Sequence, residues 1–138
     1  LLGPPQRGED RHLGLDEERL SELPPERVDL LRVDRWLHRN LLQLEDILEG
    51  RIRPGQLPAG RAGAFQACWD VWTDGRLKLR ALPGVSLAER RRAFFRAFAA
   101  GGLLLPRHWD VFHRLWEDRI HDQAGLLEAV RALPPSNG

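Results

Sequence analysis

Cys68 is the first residue that could do chemistry, and it lies in "CWDVWTDGRLKLR", residues 68 to 80. A nucleophilic thiol needs its pKa lowered by a cation or a helix N-terminus. Cys68 instead stands late in an expected helix, between Ala67 and Trp69 and close to Asp70. Each of these opposes a thiolate, so Cys68 reads as a small core residue. A second group is Asp110, His113, Glu117 and His121, at i, i+3, i+7 and i+11 of one expected helix. Imidazole and carboxylate at such spacing suit zinc or iron. Three ligands on one straight helix cannot reach one ion, and no second helix offers a matching motif. A polar helix face is the expectation, with no metal and no cofactor. Arg32 with His38 and Arg107 with His113 both read R-x5-H. Such pairs can stabilise phosphate charge and move a proton. Among so many arginines, chance matches are expected. No Gly-rich phosphate loop, Ser-His-Asp ordering or HExxH pattern is present. The chain therefore reads as a non-enzyme.

Charge is more informative. Residues 76 to 96 hold seven cations (Arg76, Lys78, Arg80, Arg90, Arg91, Arg92 and Arg96) against Glu89 alone. Residues 9 to 49 hold twelve acids and six arginines. The formal net charge of +1 hides this separation. A basic segment of this density could contact phosphates or an acidic partner. The alternative is a solvated face that pairs with the acidic N-terminal part. Large aromatics are the second clue. Phe94 and Phe95 are adjacent and point about 100° apart on a helix. Both are covered only if that helix is packed on two sides or one side meets a partner. Phe95 with Arg91, Arg92 and Arg96 is thus a candidate partner-binding face.

These residues need elements to position them. The strongest helical signal runs from about Glu26 to Glu49. Leu30, Val33, Leu37, Leu41, Leu44 and Leu48 step by three and four, one stripe at helical period. Arg32, Arg35, Arg39, Glu45 and Glu49 lie mostly off it, and Gly50 supplies a stop. At 1.5 Å per residue this helix is about 36 Å long. Several helices are expected to pack along its stripe, which makes it the spine of the fold. A short helix capped by Asp16, with Glu17 and Glu18 in its first turn, precedes it and ends at Pro24-Pro25. Residues 50 to 63 read as a loop carrying Arg51, Arg53 and Arg61.

Ala62, Phe65, Trp69 and Trp72 step by three, four and three. That spacing predicts a helix from about Arg61 to Thr73, capped by Gly75. A β-hairpin near residues 69 to 82, turning at Asp74-Gly75, is the competing reading, because "RLKLR" alternates. "SLAE", Ser86 to Glu89, makes a capping box ahead of a helix from about Leu87 to Ala100. Gly101-Gly102 end it. Pro106 opens another helix with Trp109, Phe112, Trp116 and Ile120 on its core face. "QAGLLEAVRAL" makes the last.

The expected fold is all-α: one bundle of five to six helices over residues 14 to 133. Flexible tails are expected at 1 to 13 and 134 to 138. One domain suits 138 residues. The single cysteine excludes a disulfide within the chain, which favours an intracellular setting, cytoplasmic or nuclear. The longest uncharged apolar run, Ala97 to Leu105, is far short of a membrane span. The sequence opens on Leu1 and has no methionine, so it is expected to be a piece of a longer protein. Arginine outnumbers lysine 20 to 1, and GC-rich coding accounts for much of that bias. The expected function is a non-catalytic protein-interaction or assembly domain using Arg91, Arg92, Phe95 and Arg96, with a protein partner or self-association. The alternative is a nucleic-acid-binding regulatory domain that contacts phosphates through Arg76, Lys78, Arg80, Arg90, Arg91 and Arg92.

Overall fold

A computed structural model describes residues 25–58, 60–98 and 104–133. The described residues form α-helices α1 (Pro25–Leu48), α2 (Ala62–Leu79), α3 (Leu87–Phe98), α4 (Pro106–Trp116) and α5 (Gln123–Arg131). A 3-10 turn, Pro54–Gln56, lies between α1 and α2. No strand occurs among them. Both expected tails, the expected helix at Asp16 and the Gly101-Gly102 stop lie outside the described residues.

The apolar stripe predicts α1 as the spine, but the structure gives that place to α2. Helices α1, α3, α4 and α5 all pack on α2. Seven consecutive residues of α2, Val71 to Leu77, are buried. The main apolar core joins Phe65, Cys68, Trp69 and Trp72 of α2 to Phe94, Phe98, Phe112, Leu115, Leu126 and Val130. No described side chain of α1 belongs to it. The stripe pointed to α1 because periodicity reports only that one face is apolar. It does not report which way that face turns.

The helix expected from about Arg61 is present and the competing hairpin over residues 69 to 82 is not, but Gly75 is not a cap. Helix α2 runs through Asp74-Gly75 to Leu79. Here the glycine serves packing. A Cβ on Gly75 would lie 2.2 Å from the Trp116 carbonyl oxygen. Only a hydrogen at this position lets α2 pass so close to the end of α4. The real stop lies further on. Leu82 N–H donates to Leu77 O at 2.9 Å and Ala81 N–H to Lys78 O at 3.0 Å. This is the Schellman arrangement, and Ala81 takes its left-handed residue at φ 57°. The same pattern ends α1 at Gly50, with φ 77°, as the sequence suggested. It also ends α4 at Asp118, with φ 58°. Helix α4 therefore stops at Trp116, so Asp110, His113, Glu117 and His121 do not share one helix.

Local side-chain caps start two further helices. Ser86 Oγ accepts from Glu89 N–H, starting α3. Asp122 Oδ1 accepts from Gly125 N–H, starting α5. The loop after α1 is pinned by Ile52, which is fully buried, and by Gln123 N–H donating to Arg51 O.

Candidate interaction face

Helix α1 is turned inside out relative to an ordinary surface helix. Its outer face carries Leu30, Val33, Leu37, Leu41, Leu44 and Leu48, with exposures from 44 to 76%. Trp36 at 61% and Ile47 at 39% widen that face. Only Leu42 and Asp46 of α1 are buried among its described side chains. The combined exposed area of the eight large side chains is on the order of 800 Å², above the 300–600 Å² patch of a typical monomer.

The inner face is held by charge. Asp46 is fully buried and receives four N–H groups. Arg76 approaches it end-on through both terminal nitrogens, at 2.8 and 2.7 Å. Trp69 Nε1 donates at 2.8 Å and Arg51 Nε at 3.0 Å. Burial pushes the Asp46 carboxyl up, but the hydrogen bonds from Arg76 and Trp69 outweigh it, and its pKa lies below the ordinary 3.8. Arg76 also stacks on Trp72, its guanidinium carbon 3.6 Å from the ring centre.

About two turns earlier on α1, Arg39 Nε donates to Asp74 at 2.8 Å, and Asp74 also accepts from Arg90 Nε at 2.8 Å. Arg39 Nη2 also reaches Asp70 at 3.1 Å. Gln43 Nε2 bridges Asp70 and Thr73. Burial alone would lower the Arg39 pKa, but Asp74 and Asp70 raise it. Arg35 closes the seam onto Glu89 of α3 at 3.2 Å. Thus α1 is fastened by ion pairs on one side and leaves the leucines of its stripe outside.

The residues singled out from sequence divide into two sets. Arg91, Arg92 and Arg96 are exposed on α3, and Phe95 is 40% exposed beside them. Phe94 and Phe98 are buried beneath. Arg76 and Arg90 turn inward onto Asp46 and Asp74, withdrawn from the surface. Lys78 is half-buried, and Arg80 is exposed just past the end of α2. Of Arg76 and Arg90, only Arg76 pairs with an acid of α1; the Asp74 that holds Arg90 belongs to α2. Cys68 is fully buried, and burial first, then Asp70, pushes its thiol up to about 12. His38 Nδ1 donates to Asp34 O at 2.9 Å, within its own helix. Among the described residues, no three His, Cys, Asp or Glu side chains lie where they could hold a metal ion. No described helix is long and apolar enough to cross a membrane.

The outer face of α1 was visible as a stripe but assigned to the core. The signal that could have placed it lies opposite. Arg35 and Arg39 are one turn apart, as are Asp70 and Asp74, and charges at matching spacing mark a face that meets another helix. Compared with known proteins, the chain matches no protein family, no curated protein and no solved structure.

Proposed function

We propose that this chain is a non-catalytic protein-interaction or assembly domain that docks through the outer face of α1. One observation carries the reading. Eight large hydrophobic side chains are exposed on one helix whose inner face is committed to ion pairs. Apolar side chains left in water lose free energy that a partner would restore, about 25 cal/mol for each Å² covered. The α3 group Arg91, Arg92, Phe95 and Arg96 offers one half-exposed aromatic among cations. It serves as a smaller, secondary contact.

The test is whether the α1 face engages apolar matter in solution. The expected result is self-association of the 138-residue chain or saturable binding of an apolar dye. Leu41→Asp with Leu44→Asp should abolish either one without loss of helicity. A chain showing neither behaviour refutes the reading.

Nucleic-acid binding remains the second reading, supported by exposed Arg80, Arg91, Arg92 and Arg96. It is weakened because Arg76 and Arg90 are spent on carboxylates. Retention on heparin that falls with salt, by about one log-log unit per phosphate contact, is what it requires.

A further inference from the structure

We infer that the occupant of the outer face of α1 is the same face of a second copy of this chain. The two helices lie antiparallel about a two-fold axis at Leu37. This deepens the docking role proposed above and rests on it. Three observations select a second copy.

The first is area. A standard interface buries about 800 Å² on each partner, and the eight exposed side chains of α1 amount to that order.

The second is spacing. Steps of three, four, four, three and four residues make a row that interlocks with a copy of itself. With the axis at Leu37, Leu30 faces Leu44 of the second copy and Val33 faces its Leu41. A two-fold contact of this kind closes on itself and leaves no free end for a chain of further copies.

The third is charge. One edge of the stripe carries Arg27, Asp34, His38 and Glu45 in order along the helix. Antiparallel pairing sets each edge against the same edge reversed. In this register Arg27 meets Glu45 of the second copy, and Asp34 meets its His38. Along the other edge Trp36 meets Asn40. A parallel pair would instead bring Asp29 against Asp34, two like charges across the seam, so the antiparallel pair is favoured.

The experiment uses the full 138-residue chain. Light scattering should give twice the chain mass. Leu37→Asp sets two carboxylates on the axis and should weaken the dimer by roughly a hundredfold or more, with an unchanged far-UV spectrum. Orientation is read by disulfide trapping, in which buried Cys68 takes no part. Leu37→Cys should cross-link to itself. Leu30→Cys should not, but should cross-link when mixed with Leu44→Cys. A dimer that survives Leu37→Asp, or that traps through Leu30→Cys alone, overturns the inference. A monomer whose α1 face binds an apolar dye overturns self-pairing and leaves the docking role standing. A monomer that binds no dye removes both.

Discussion

Asp46 shows at the level of one residue how α1 is held. Its four N–H donors satisfy a carboxylate that burial alone would make costly. Removing its charge strands Arg76, which is only 5% exposed. Asp46→Asn should therefore cost about 3–5 kcal/mol, read as a shifted urea midpoint. Arg76→Met should cost a similar amount, and the double variant less than the sum of the two. The depressed Asp46 pKa fixes the sign of its pH dependence. Its contribution is full above the unfolded value near 3.8 and is lost as pH falls through the lower folded value. His108 acts in a different window. It is 2% exposed, and its Nδ1 accepts from Leu105 N–H at 3.0 Å. The neutral ring then carries its proton on Nε2, which is buried and has no partner among the described residues. Burial first, and then Arg107, lowers its pKa below 6.5. Stability should thus decline as pH drops below about 6.5 and level off beneath the folded value. Thermal melts of the chain and of His108→Gln across that range check this, and the variant should lose the slope.

The helices are stopped and crossed by single residues, and these give sharp tests. Gly75→Ala adds a methyl where the Trp116 backbone stands. It should destabilise by about 2 kcal/mol or more, despite a gain in helix propensity of up to about 1 kcal/mol. Ala81→Gly relieves a left-handed alanine at a helix end and should stabilise by about 1 kcal/mol. Both are read from denaturant midpoints. These sites also mark what the sequence could reveal. The all-helical class, the α1 and α4 starts, the Ser86 cap and the Gly50 stop were legible, because each rests on neighbours in the chain. The role of Gly75 was not, since it depends on Trp116, a residue far along the sequence. Asp74-Gly75 looks like a turn until Arg39 and Arg90 are seen to bury the aspartate. The inward face of α1 was hidden for the same reason: pairing partners cannot be read from one helix alone. The exposed Arg91, Arg92, Phe95 and Arg96 group was foreseeable, because Phe94 and Phe95 cannot both face one core.

At the scale of the whole molecule, two kinds of cohesion divide the work. An apolar core centred on α2 gathers α3, α4 and α5. A charged seam attaches α1. If α1 also joins two copies, the melting temperature should rise with chain concentration, and Leu37→Asp should remove that dependence. Calorimetry over a range of concentrations measures it. The seam has a kinetic consequence as well. Among the described side chains of α1, Leu42 is the one fully buried hydrophobic, with Leu31 half-buried. The sensitivity of an opening to urea scales with the surface it exposes. The amides of α1 should therefore exchange with deuterated water through a local opening that mild urea hardly accelerates. Those of α2 should wait for global unfolding and respond steeply. One helix would then behave as a latch that releases while the rest of the molecule stays closed.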